Sequence, residues 1–160
     1  MKDCVLVAPI NGLKYSTVFP LIKENKLRCG NTNFNCGMFF YVPEEYEYED
    51  TYKFEREKDG KKAMRYSSVC WVTTLPIQRP PIEMTKTYDP DEYPRYENED
   101  GIEVKEYKMI PANYQGVMGV HITFLGKINP DQFEILNHRG DLIVNGRTVY
   151  ARILIRRKQL

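Results

Sequence analysis

Seven cations carry the chemistry this sequence offers most openly. Lys61, Lys62 and Arg65 follow an Asp59-Gly60 reversal, Arg139 stands beside His138 on a turn, and Arg152, Arg156 and Arg157 precede Lys158 near the C-terminus. Lysine and arginine clusters neutralise backbone phosphates, and tyrosine faces beside them can stack on unpaired bases. Each cluster also has a plain reading as a solvated face, and tyrosines on an alternating strand commonly pack into a core. Lys plus Arg total 23 against 22 Asp plus Glu, a formal net charge of +1. Nothing global attracts a polyanion, so any nucleic-acid contact must rest on a local patch.

No complete active site accompanies these cations. The 160 residues contain no glycine-rich phosphate loop, no Phe-x-Gly-x-Gly cofactor signature, and no Ser/His/Asp or Cys/His set at informative spacing. Cysteines at 4, 29, 36 and 70 form no C-x-x-C pair, so they read as reduced, packed thiols. A zinc site on Cys29 and Cys36 would need His121 or His138, both remote in sequence. Asn129-Pro130-Asp131-Gln132-Phe133 is superficially similar to the Asn-Pro-Pro-aromatic loop of amino methyltransferases, but its third and fourth residues differ. It reads better as a helix start, with Asn129 as cap and Pro130 in the first turn. Asp89-Pro90-Asp91-Glu92 has the same plain reading.

The elements that must position these groups follow from patterning. Cys4 to Ile10 is a continuous apolar run, as in a strand covered on both faces of a parallel or mixed sheet. Ser16 or Thr17 would cap a helix running to about Asn25, with Pro20 in its first turn and Val18, Phe19 and Ile22 on its apolar side. Tyr46, Tyr48, Tyr52 and Phe54 share one parity, while Glu45, Glu47, Glu49 and Glu55 share the other. That alternation predicts a strand with one aromatic face. A three-residue loop with Gly60 left-handed would place Phe54 opposite Tyr66. Val69 to Thr73, with Trp71, is a buried-strand candidate.

Pro76 to Asp100, with five prolines and three tyrosines, predicts an ordered but irregular connection. Strands are expected at Ile102 to Val104 and Val117 to Leu125. A closing hairpin across Asn145-Gly146 should join Asp141–Val144 to Val149–Arg157, with Ala151, Ile153 and Ile155 on one face and Arg152, Leu154 and Arg156 on the other. The expected fold is α+β: mostly antiparallel or mixed sheet with few short helices in a single domain over 1–160. Its parts are a strand-helix unit with hairpin strands (1–75), the connection (76–101), and strands with the C-terminal hairpin (102–160). With no apolar stretch of spanning length and no secretory core, the expectation is a cytoplasmic chain that engages no membrane.

Long blocks of the sequence resemble the C-terminal half of adenine-specific DNA methyltransferases of the EcoRI type. They include Phe19-Pro20-Leu21-Ile22-Lys23-Glu24-Asn25-Lys26, Thr85-Lys86-Thr87-Tyr88-Asp89-Pro90, Tyr93-Pro94, Gly116 through Leu125, and Tyr150-Ala151-Arg152-Ile153-Leu154-Ile155-Arg156-Arg157. One departure is His121, where the family pattern has proline. The resemblance implies the C-terminal part of a Rossmann-like methyltransferase, with Val5–Ala8 as a late strand of its sheet and the remainder supporting target recognition and placement of a flipped adenine. It implies that the S-adenosylmethionine-binding strands and the Asn-Pro-Pro-Phe loop precede the matched region. The expected function is that of a partial or truncated methyltransferase that binds no cofactor and is not catalytically competent alone. Its partners would be DNA and either a second copy or a separate N-terminal half, because an unpaired apolar strand seeks a partner. The alternative is a non-catalytic DNA- or protein-binding module derived from such an enzyme, for example in anti-restriction or other defence interference.

Overall fold

The computed structural model describes residues 2–31, 34, 37–47, 54–56 (backbone) and 59–159. Strand β1 (Val5–Pro9), helix α1 (Phe19–Lys23) and β2 (Arg28–Cys29) come first, then β3 (Met38–Tyr41), β4 (Phe54–Arg56), β5 (Lys62–Tyr66) and β6 (Val69–Thr73). After the long connection follow β7 (Gly101–Glu103), β8 (Val117–His121), β9 (Phe133–Arg139), β10 (Leu142–Val144), β11 (Arg147–Val149) and β12 (Arg152–Arg157). Short 3-10 turns occupy Ile10–Lys14, Tyr107–Met109 and Ile122–Gly126. The fold is α+β with sheet strongly predominant.

The four-stranded sheet, in the order β7-β8-β12-β9, positions most of the charged groups discussed below. Strand β7 runs parallel to β8 and the other pairs are antiparallel. Strand β12 is central, and alternation sends its side chains to two covered faces. Ile153 and Ile155 enter the main core with Leu13, Phe19, Met118 and Phe133, whereas Leu154 packs with Tyr96 and Leu142 on the other side. That second face is roofed by the β10-β11 hairpin, which closes through Asn145 (φ 50) and Gly146 (φ 70), the left-handed pair a two-residue turn requires. The hairpin matches expectation only as far as Val149. At Ala151 the backbone turns left-handed (φ 55), and the chain leaves to pair β12 with β8 and β9.

The order β1-β6-β2 forms a three-stranded antiparallel sheet, and β3-β5-β4 forms another. Here the covered-strand expectation fails: β1 is an edge strand, with Val5 55%, Leu6 54% and Val7 42% exposed. An unbroken apolar run marks a strand but cannot say whether both its faces are covered. Trp71 is likewise half-exposed, because Cys70 and Val72 take the inward positions of β6. In the β4-β5 pair Phe54 stands opposite Met64, not Tyr66, a register two residues away from the expected one. The shift is even, so the residues of β5 keep their expected alternation. Gly60 is left-handed as anticipated (φ 77). Tyr48, Glu49 and Tyr52 of the aromatic alternation, and Cys36, lie outside the described residues.

Three local readings are corrected, two of them by side-chain hydrogen bonds to backbone. Helix α1 spans only five residues, and its N-cap is Val18 with no side-chain cap, so neither Ser16 nor Thr17 starts it. The β8 strand stops at His121, whose Nδ1 accepts from the Thr123 amide at 3.4 Å and opens a 3-10 turn instead of continuing to Leu125. Asn129 does cap a turn, its Oδ1 accepting from Asp131 N at 2.8 Å and its carbonyl from Gln132 and Phe133. The turn ends there, because Phe133 enters β9 rather than a helix.

The 76–100 connection is ordered through side-chain clamps on backbone. Gln132 accepts from Ile82 N at 2.7 Å and donates to Ile82 O at 3.1 Å. The Arg79 guanidinium donates to the carbonyls of Cys29 and Gly126, while Arg79 O accepts from Asn129 Nδ2 at 2.9 Å. Tyr93, fully buried, donates to Met109 O at 2.8 Å.

Candidate nucleic-acid interface

The structure divides the seven cations between two sheets. On β3-β5-β4, the Lys61 amine lies 3.7 Å from Asp59 Oδ2 and 5.3 Å from the centre of the Tyr41 ring. Lys62 donates to the carbonyls of Glu44 and Tyr46 at 2.9 and 2.6 Å. Arg65 pairs in register with Phe39, and its guanidinium sits 5.9 Å from that ring. Cations and aromatic faces do come together here, but largely to bind the hairpin to itself.

Arg139, Arg152, Arg156 and Arg157 belong to β9 and β12. Arg152 stands opposite Arg139 on one side and His121 on the other, which puts all three on one face of the sheet. Arg139 is held by Asp141 (2.7 and 3.0 Å) and Glu99 (2.8 Å). The hydrogen bond to Asp141 raises the Arg139 guanidinium above its ordinary value and lowers the Asp141 carboxyl. Arg156 is bridged to Glu134 at 2.7 Å, and Arg157 donates to Ala112 O.

Arg152 anchors a buried polar node that sequence reasoning missed. Its Nε donates to both oxygens of Glu103 (2.9 and 3.0 Å), its Nη2 to Oε1 (2.6 Å) and its Nη1 to Tyr150 O (2.9 Å). The Tyr96 hydroxyl also donates to Glu103 Oε2, at 2.5 Å. Glu103 is 4% exposed, so this carboxylate is tolerable only because a cation and a hydroxyl satisfy it. Gly119 makes the arrangement fit: a Cβ there would lie 1.9 Å from the Tyr96 hydroxyl. Burial, reinforced by the Glu103 carboxylate, pushes the Tyr96 phenol far above its usual value. Burial works against the Arg152 charge, yet Glu103 more than offsets it and the guanidinium is raised. His121 is lowered by partial desolvation against the sheet, although its ring stays exposed, and by repulsion from Arg152. The signal that could have exposed the node was Glu103 itself, a carboxylate set between Ile102 and Val104 in a short strand.

Beside the node, a cleft of about 540 Å³ opens between β7 and the β10-β11 hairpin, lined by Lys105, Asn145, Arg147 and Arg152 among others. Lys105 and Arg147 were not singled out by spacing, since they stand alone among unlike neighbours. Among the described residues no group of three or more His, Cys, Asp or Glu side chains could hold a metal ion. No helix among them is long and apolar enough to cross a membrane.

Against known families, residues 1–143 match the model for adenine-specific methyltransferase EcoRI. The chain belongs to that family. The type II methyltransferase M.EcoRI of Escherichia coli is 40% identical over 169 residues, which cover 99% of this chain and 51% of the relative. M.MpnI of Mycoplasma pneumoniae, also a type II methyltransferase, is 30% identical over 99% of this chain and 57% of its own length. A type II methyltransferase of Mycoplasma genitalium is 31% identical, with 97% and 57% covered. The chain thus spans about half the length of the curated relatives it matches. No solved structure matches it significantly.

Proposed function

We propose that these 160 residues form the target-recognition half of an adenine-specific DNA methyltransferase and are not competent for methyl transfer alone. The observation that carries this reading is coverage: type II methyltransferases align with 97–99% of the chain but give up only 51–57% of their own lengths to it. The residues present also fit S-adenosylmethionine poorly. A ribose diol is commonly held by a carboxylate, and the sole buried carboxylate among the described residues, Glu103, is closed off by Arg152 and Tyr96. The role left to this chain is to hold DNA and present a base, with phosphate contacts supplied locally because net charge supplies none.

Strand β1 supports the need for a partner. Its exposed Val5, Leu6 and Val7 lie at the sheet edge, where a further strand from a second copy or a separate N-terminal half would pair with it. Calorimetric titration of the intact chain with S-adenosylmethionine tests the reading. No binding heat is expected, and saturable binding would overturn the claim of incompetence.

A further inference from the structure

The cleft between β7 and the β10-β11 hairpin contains charges that the buried node does not consume. Glu103, the carboxylate lining it, is matched by Arg152 and Tyr96. Lys105 and Arg147, both exposed, line the same cleft, and among the described residues neither is in an ion pair. The surplus is two positive charges, three cations less one carboxylate. Arg152 contributes more than charge, since a guanidinium has five N–H donors and its bonds to Glu103 and Tyr150 occupy three of them.

The walls of this cleft are also fixed in advance. The hairpin is bolted to residues 97 and 98: Glu97 N donates to Ile143 O (2.9 Å), Ile143 N to Asn98 Oδ1 (3.0 Å), Asn98 Nδ2 to Asp141 O (2.7 Å) and Gly146 N to Glu97 Oε1 (2.7 Å). On the other side stands the Tyr96–Glu103–Arg152 node, which is buried. A concave site with two surplus positive charges and rigid walls suits a compact anion with several acceptor oxygens. A carboxylate and a backbone phosphodiester each carry a single charge, so the choice of phosphodiester comes from the recognition-half reading; its two non-bridging oxygens can accept from Lys105 and Arg147 together.

We infer that the Lys105–Arg147–Arg152 cleft is a phosphate seat that holds one backbone phosphodiester of bound DNA, an assignment that rests on the recognition-half reading above. It fixes register on the duplex and carries no sequence information. Inorganic phosphate probes the seat without DNA. Titrated into the labelled intact chain, it is expected to shift the Asn145, Gly146 and Arg147 amides and the Lys105 side chain saturably, with the response lost in Arg147→Ala and Lys105→Ala. Both side chains are exposed, so neither change removes core. Duplex binding is then measured against salt, and each variant is expected to lower the log–log slope by about 0.9, the loss of one neutralised phosphate.

Phosphate that leaves these resonances unmoved, or variants that keep the wild-type slope, overturn the seat while duplex binding by wild type keeps the recognition-half reading. Absence of any duplex binding by wild type overturns both, even where phosphate still fills the cleft.

Discussion

Replacing Arg152 with methionine removes the cation from the buried node and keeps most of the side-chain length. Glu103 is 4% exposed and the Arg152 side chain 15%. After the change Glu103 retains one donor, the Tyr96 hydroxyl at 2.5 Å, and loses the contacts from Nε and Nη2. Orphaning a buried charge in this way costs about 3–5 kcal/mol. For a chain of this size that is a fall of roughly 10 °C in Tm, at about 2–4 °C per kcal/mol. Arg139→Met removes as many ionic contacts from the same sheet face, but its two carboxylate partners, Asp141 at 69% and Glu99 at 27% exposed, both reach water, unlike Glu103 at 4%. Its expected cost is below about 1 kcal/mol. The double variant Arg152→Met/Glu103→Gln removes the orphaned charge and should recover about 1–3 kcal/mol of the single-variant loss, a coupling expected of residues in direct contact. Urea unfolding followed by tryptophan fluorescence measures wild type, these three variants and the Glu103→Gln single variant that completes the cycle. Equal losses for Arg152→Met and Arg139→Met, or strict additivity in the cycle, would refute the claim that the node is a desolvated unit.

Three further outcomes follow from the same geometry. Gly119→Ala drives a Cβ to within 1.9 Å of the Tyr96 hydroxyl and should cost about 1–3 kcal/mol; combining it with Tyr96→Leu, which vacates the space, should recover part of that loss in the same unfolding assay. His121 is depressed below its ordinary 6.5 in the folded chain, so the unfolded chain binds more protons below that pH and stability falls as pH drops through 6.5 toward the folded value; His121→Gln should flatten stability across this window, and an unchanged profile would contradict the assignment. Arg79→Lys should destabilise by about 1.5–3 kcal/mol, because an ammonium cannot reproduce the fork that reaches the carbonyls of Cys29 and Gly126 together, and unchanged hydrogen-exchange protection at residues 76–82 would count against that role.

Local chemistry made some of this architecture legible and hid the rest for definable reasons. The Asn145-Gly146 hairpin was readable because a two-residue turn needs two left-handed residues, and few pairs supply them. The irregular 76–100 connection was readable from its prolines and tyrosines. By contrast, the environment of β1 depends on what lies beside Val5, Leu6 and Val7, which no periodicity encodes. The stops at His121 and Asn129 each turn on one side-chain bond to a backbone amide two residues on. Tyr96, Glu103 and Arg152 are spread over 57 positions of sequence (96 to 152) and meet only because β12 crosses to the β7-β8 side. Arg152 was therefore singled out for its charge and not for the carboxylate that holds it. The family relationship was legible where the individual roles were not, since long blocks preserve a fold's packing without labelling which residue touches the ligand.

Equilibrium binding of the intact chain to duplex DNA, followed by fluorescence anisotropy from about 50 to 200 mM salt, tests the recognition-half assignment most directly. The account predicts measurable affinity without any cofactor, falling linearly on a log–log plot with a slope that reports several neutralised phosphates. No binding at the lowest salt, or binding that ignores salt, would contradict it.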